Sequence, residues 1–198
     1  MIIGDKDIIS QVKMLYKMNG AEWEKVNLFG ISDDSGNNNW NDLLGVVTDD
    51  ILIMSPGTTK PGQPATDKHQ TGADHLAPGY YYHKWALGWH GAKGKYYRHR
   101  AFVQGSRPIS TIRDTNRNGQ IDPSDKLVID QPWWGINIHT IVGDSAIVGN
   151  WSWGCQVWRN HELFGQAVKR AQDSGQELFS YLLMPIKRET KFLYKMGI

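Results

Sequence analysis

Cysteine is almost missing from this chain. One thiol, Cys155, in 198 residues excludes an internal disulfide, and cysteine usage then says nothing about compartment. Long apolar runs are missing too: none approaches the roughly 20 residues that a membrane-spanning helix needs. Neither sign of charge dominates. With 22 basic and 20 acidic residues and a net charge of +2, no strongly basic stripe stands out, and no nucleic-acid partner is expected. The first ten residues, MIIGDKDIIS, lack a basic region followed by an apolar stretch, so no secretory signal is read there. Phenylalanine is scarce beside the other aromatics, with five against nine tryptophans and eight tyrosines. Aromatic rings with a polar handle suit grooves that stack on sugars or peptides, and equally suit ordinary core packing. The length fits one domain, at most with a small appendage.

What is there centres on residues 135–158, GINIHTIVGDSAIVGNWSWGCQVW. This segment holds the lone cysteine and, with fifteen residues between them, His139. A free thiol has a pKa of about 8.5 and is only a few per cent ionised at neutral pH, and an imidazole can take its proton. One cysteine with one histidine is the smallest constellation for covalent acyl transfer. Backbone N–H groups at a tight Gly154-Cys155 turn can hold the oxyanion, and Gly154 permits unusual φ and close approach. The competing reading is a small buried hydrophobe and an unremarkable histidine. Ile136, Ile138 and His139-Thr140-Ile141 follow a strand period that sets Asn137 and His139 on one face. Gly143-Asp144-Ser145 reads as a turn, Ala146-Ile147-Val148 as a short antiparallel return, and Gly149-Asn150 as a second turn. A strand, a hairpin and a loop would thus bring Cys155 back beside His139.

These residues resemble the signature of the L,D-transpeptidase catalytic domain: a histidine, a gap of somewhat over a dozen residues, then Ser/Thr-x-Gly-Cys. Matched position by position, His139 takes the place of the general base and Thr140 that of the small polar residue after it. Ser152, Gly154 and Cys155 take those of the serine, glycine and nucleophile. Trp153 stands where many members carry a second histidine. The arginine usual two residues after the cysteine is absent: Gln156-Val157-Trp158 stands there, and the first arginine is Arg159. Leu76-Ala77-Pro78-Gly79-Tyr80-Tyr81-Tyr82 is similar to the family's Thr-Pro-x-Gly-x-Phe segment, a turn entering a strand. The resemblance spans roughly residues 51–158. It implies a cysteine acyl-enzyme acting on peptidoglycan stem peptides, by transpeptidation or hydrolysis, with no cofactor required. It also implies a cleft to which Trp151, Trp153 and Asn137 contribute. Without a recognised leader, action at the wall or periplasm calls for a chain made without its leader, another export route, release by lysis or carriage on a phage particle, with a phage lysis or virion protein favoured and a phage or wall assembly as candidate partner.

Residues 114–125, DTNRNGQIDPSD, place oxygen-bearing side chains at loop positions 1, 3, 5, 9 and 12 and glycine at position 6, an EF-hand-like calcium pattern. Asp114, Asn116, Asn118 and Asp125 would ligate through side chains and Gln120 through its carbonyl, with aspartate in the last place as in the calcium loops of dockerin modules, which it resembles. The alternative is a polar β-turn that uses Asn and Gly for left-handed backbone.

The remaining pattern predicts a helix over 5–19, with Ile8, Ile9, Val12, Leu15 and Tyr16 at helical spacing. A strand follows near Val26–Phe29, then a loop over 33–39 and a hairpin over 45–54 that turns at Asp49-Asp50. Residues 55–73, rich in Pro, Gly, Thr and Gln, read as a long irregular loop. Tyr80–Trp89 and Tyr96–Gln104, with Tyr97, His99 and Phe102, form two strands about a Gly91–Gly94 turn. A helix over 160–174 and a strand over 177–184 follow, and a basic, aromatic tail is set to dock on a partner or the core. The expected fold is mainly β (α+β), an L,D-transpeptidase-like twisted sheet or sandwich with helices near the N-terminus and after the cysteine. Residues 1–50 read as an N-terminal extension and 51–198 as the catalytic domain. The rival function is a non-enzymatic, aromatic-rich binding or virion module.

Overall fold

Asp5 opens the first helix by accepting hydrogen bonds from the N–H groups of Asp7 and Ile8, which satisfies donors that the helix itself leaves orphaned. Helix α1 (Lys6–Met18) then buries Ile9, Val12, Leu15 and Tyr16 along one stripe. The computed structural model that shows this describes every residue except 34, 37, 97, 133, 134 and 198. Tyr97, expected on a strand, lies outside the described residues, as does position 37 of the asparagine run.

Strand β1 is Ile2–Ile3; β2 (Asn27–Ser32), β3 (Asp42–Val47) and β4 (Leu52–Thr58) follow α1. Asp49-Asp50 do turn the β3–β4 hairpin. Next come α2 (Gln63–Lys68), β5 (Asp74–Leu76), β6 (Gly79–His90), β7 (His99–Val103), β8 (Ile109–Arg113) and β9 (Lys126–Gln131). The chain ends with β10 (Ile138–Thr140), a 3-10 turn (Gly149–Trp151), β11 (Gln156–Trp158), α3 (His161–Asp173), β12 (Leu178–Pro185) and α4 (Lys191–Gly197).

The main sheet runs β1-β4-β11-β10-β7-β6-β12-β2-β3, and β3 pairs again with β4. The sheet therefore closes into a barrel, where an open twisted sheet or sandwich was expected. Closure consumes both edges of β4 and removes the unpaired edge that an open sheet exposes. Residues 1–50 supply β1, β2 and β3 to this same sheet. Three further strands, β5-β8-β9, form a small second sheet.

Alternation sorts the side chains. Leu28, Leu44, Ile53, Trp85, Phe102, Ile138, Trp158 and Tyr181 fill the barrel together with Phe164 of α3. Phe29, Ile31, Leu43, Leu52, Met54 and Leu182 point outward under α1 and Leu193 of α4. The aromatic tail thus docks on the core. Trp85 is wholly buried, while Trp89, further along β6, is half exposed.

Two further expectations fail. Residues 55–73 are no irregular loop: β4 continues through Thr58, α2 follows, and Thr58, Thr59, Lys60, Ala65 and Thr66 are buried. A buried ion pair is the reason. Lys60 Nζ lies 3.4 Å from Asp42 Oδ1 with both side chains sealed from water, and Asp42 also accepts the Thr59 N–H and Oγ1–H at 2.6 and 2.7 Å. Burial raises the Asp42 carboxyl's pKa, and Lys60 with the Thr59 donors works against that rise. Likewise Ala146-Ile147-Val148 forms no return strand; β11 returns instead, parallel to β10. Parallel neighbours need a crossover rather than a hairpin, and the residues between β10 and β11 provide it.

Candidate active site

Strand β10 pairs with β11 in the register Ile138↔Gln156, His139↔Val157 and Thr140↔Trp158. The Gln156 N–H donates to Asn137 O at 2.9 Å, which sets Cys155 opposite Asn137. Ile138 and Trp158 face the barrel core. By alternation Asn137, His139, Cys155 and Val157 share the outer face, and His139 and Cys155 are diagonal neighbours there.

Hydrogen bonding assigns the tautomer of His139. Its Nδ1 lies 3.0 Å from Thr140 O. A carbonyl only accepts, so Nδ1 carries the proton and Nε2 presents a lone pair. That Nε2 is buried and has no hydrogen-bond partner among the described residues. The ring stacks on His90 at a centroid distance of 3.7 Å and an interplanar angle of 9°. His90 Nδ1 in turn lies 3.2 Å from Asn137 Nδ2, and the Thr140 N–H donates to His99 Nε2 at 3.3 Å. Burial, and then His90, push His139 well below the usual imidazole range, against the pull of the Thr140 carbonyl. Burial and then His99 bring His90 down to about 4. The His139 imidazole is thus held neutral.

Cys155 is half-buried, against an apolar cluster of Trp40, Ile141, Val148 and Val157. Its Sγ accepts the Asn137 N–H at 3.4 Å and lies 3.7 Å from Gly135 O. Burial pushes the thiol up to about 11, partly offset by the Asn137 N–H. Since His139 Nε2 has no partner, thiol and imidazole are not hydrogen-bonded to one another. The resting pair is a neutral thiol beside a neutral imidazole.

The flanking residues build the turn. Gly154 adopts φ +118°, and a Cβ there would lie 2.7 Å from Asp74 O on β5, so glycine is required on two counts. Ser152 Oγ accepts the Gly154 N–H at 3.2 Å and donates to Cys155 O at 2.8 Å. Thr140 Oγ1 donates to Trp158 O at 3.0 Å, tying the ends of β10 and β11 together. Ser152 and Thr140 are therefore buried positioning residues.

Of the expected cleft residues, Trp151 lines a pocket of about 390 Å³ with His90, Tyr96, His99 and Asn150. Trp153 is 46% exposed and packs edge-on against His69 next to α2. Asn137 is a positioning residue: besides reaching His90, its Oδ1 accepts the Gln104 N–H at 3.1 Å. His90 and His99 escaped the sequence reading as site residues. Their cross-strand pairing at the mouth of the β6–β7 hairpin was the available signal.

The residues expected to bind calcium form the connection from β8 to β9. Asp114 is wholly buried and accepts the N–H groups of Asn118 and Gly119 at 3.1 and 2.8 Å. Asp125 accepts those of Thr115 and Asp122 at 3.1 and 2.9 Å, one on each oxygen. Asn116 and Asn118 turn their Nδ2 donors to Asp122 Oδ2, each at 2.8 Å, and Gln120 N–H donates to Asn118 Oδ1 at 2.8 Å. In this arrangement the side-chain oxygens accept hydrogen bonds that close the turn. Among the described residues, no group of three or more His, Cys, Asp or Glu side chains is arranged to hold a metal, and no helix is long and apolar enough to cross a membrane.

No protein-family model, no curated protein and no solved structure matches this chain.

Proposed function

We propose that this chain is a cysteine acyl-transferase or hydrolase of the L,D-transpeptidase kind, acting on peptidoglycan stem peptides. One observation carries the reading. His139 keeps its proton on Nδ1, held by Thr140 O, and leaves a buried, partnerless Nε2 on the face that also presents Cys155. An unpaired buried acceptor is costly unless something is meant to reach it. By register Cys155 is a diagonal neighbour of His139 on that face, so its Sγ–H is the candidate proton.

In the proposed reaction Nε2 takes the Sγ–H proton as Sγ attacks a stem-peptide carbonyl, forming the C–S bond and an oxyanion. The Gly154 N–H is engaged by Ser152 Oγ at rest, so the Cys155 N–H is the first donor to the oxyanion. Collapse breaks the C–N bond, and the imidazolium returns its proton to the leaving amine. The thioester is then resolved by an acceptor amine, which gives a cross-link, or by water, which gives cleavage. The site of action would be the cell wall.

Incubation with defined muropeptides followed by mass spectrometry tests this. The expected outcome is an acyl adduct on Cys155 and a cross-linked or trimmed product, both lost in Cys155→Ala. Equal processing by Cys155→Ala sinks the proposal. A second reading, a binding module that keeps the fold without chemistry, is favoured by one feature: at rest the thiol contacts backbone groups and not the imidazole. An unmodified Cys155 after prolonged incubation with muropeptides would support it.

A further inference from the structure

Residues 75–113 contain no aspartate or glutamate but seven lysines and arginines. Four of these, Lys93, Lys95, Arg98 and Arg100, lie at the β6–β7 turn or just inside β7. None of the four has an ion-pair partner among the described residues. The guanidinium groups of Arg98 and Arg100 lie 4.2 and 5.3 Å from the Trp89 ring centroid. Such stacking holds the cations in place without neutralising them. Arg100 Nε is buried and has no hydrogen-bond partner among the described residues. Lys93 and Lys95 are exposed. In a chain of net charge +2, this hairpin is a local concentration of uncompensated positive charge.

The hairpin is also one wall of the 390 Å³ pocket, through His90, Tyr96 and His99; Asn150 and Trp151 form the other. Both members of the proposed catalytic pair adjoin these walls. His90 stacks on His139, and Trp151 and Cys155 pack against one apolar cluster. Asn137 Nδ2 is a donor, so His90 accepts at Nδ1 and carries its proton on Nε2. The imidazole edge not bound to Asn137 is therefore a donor.

We infer that the β6–β7 hairpin and this pocket bind the carboxylate-bearing end of a peptide and hold it beside Cys155. This deepens the proposed function and rests on it only for placing the bound peptide next to the reacting thiol. The pocket's size suits one or two amino-acid residues. The His90 donor, with Lys93 and Lys95 at the adjoining turn, suits a carboxylate, and Tyr96 and Trp151 offer aromatic faces to side chains; Arg98 and Arg100 sit with Trp89 on the other face of the hairpin and add only to its positive field. A row of cations with no interspersed acid also raises the local concentration of anionic ligand.

The test uses the full chain carrying Cys155→Ala, so that binding is read without chemistry. N-acetyl-diglutamate and its fully amidated counterpart are titrated while the histidine imidazole and tryptophan indole resonances are followed by NMR. The acid is expected to shift His90 and Trp151 and to bind about tenfold or more tighter than the amide at low salt. That advantage should fall away near 0.5 M salt, where charges more than about 4 Å apart are screened. The double variant Lys93→Gln/Lys95→Gln should lose most of the preference for the acid. Equal affinity for acid and amide overturns the inference, as do shifts confined to residues away from the pocket, or tighter binding of a short single-stranded oligonucleotide. Selective acid binding beside a parent protein that never acylates would end the catalytic reading and leave this one standing. Acylation without acid preference would do the reverse.

Discussion

Alkylation of Cys155 by iodoacetamide across pH separates a resting neutral pair from a resting ion pair. Burial raises the thiol to about 11, so at pH 7 about one molecule in 10,000 carries the thiolate, against about 3% for a free cysteine with pKa about 8.5. That is a deficit of roughly 300-fold. A more basic thiolate is intrinsically more nucleophilic, and a Brønsted slope of about 0.4–0.5 over this difference recovers about tenfold. Cys155 should therefore react about 20- to 30-fold more slowly than a small-molecule thiol at pH 7, and slower still where packing shields it. Its rate should climb about tenfold per pH unit to about pH 10, following the thiolate fraction, without an inflection near neutrality. His139→Gln should change this resting rate little, because the imidazole is neutral and not bonded to Sγ at rest. Acyl transfer by the same variant should drop about 10²- to 10⁴-fold, the usual contribution of a general base. Intact-mass spectrometry of protein quenched at intervals reads the alkylation directly. A rate above that of the free thiol at pH 7, or a plateau from about pH 6 upward, would show a thiolate–imidazolium pair and refute the account of the site.

Four further outcomes are expected. Gly154→Ala forces a side chain into φ +118° and against Asp74 O; the strain of about 1–3 kcal/mol lowers Tm by roughly 3–10 °C for a chain of this size, seen by calorimetry. Asp42→Asn leaves Lys60 buried without its counter-charge and should cost about 3–5 kcal/mol in urea unfolding; Asp42→Asn combined with Lys60→Met should recover part of that loss. His75 is buried, with neither ring nitrogen bonded among the described residues, and burial holds it down to about 4. Below the unfolded value of 6.5 the unfolded chain binds the extra proton, so stability complete above pH 6.5 is lost as pH falls toward 4, by roughly 3 kcal/mol from this group; denaturant titrations in which His75→Gln leaves that slope unchanged would contradict this. Asp114→Ala removes the acceptor for the Asn118 and Gly119 N–H groups and should lower Tm equally in EDTA and in millimolar calcium, whereas a loss confined to calcium would support the ion-binding loop.

The sequence alone determined elements whose signals are local. Helix α1 has its Asp5 cap and its 9-12-16 stripe within one stretch, and α3 has Asn160 as cap and Phe164, Ala167, Val168 and Ala171 as buried face. The β3–β4 hairpin turns where two acidic residues interrupt apolar runs, and β12 stops at Pro185. Cys155 and His139 could be singled out because few other residue types carry that chemistry. Tertiary structure decided what depends on partners distant in sequence. Closure pairs β2 with β12, at Leu28↔Tyr181, and no local period reports such a pairing. Residues 55–60 look like loop until Asp42 is seen to bury Lys60. The parallel register of β10 and β11 sets which face carries the thiol. His90 and His99 gained a role only when the hairpin laid one of them flat on His139. Residue type reveals which chemistry is available, but the tautomer, the burial and the neighbours of His139 come from packing, and packing is a property of the closed barrel rather than of any one segment.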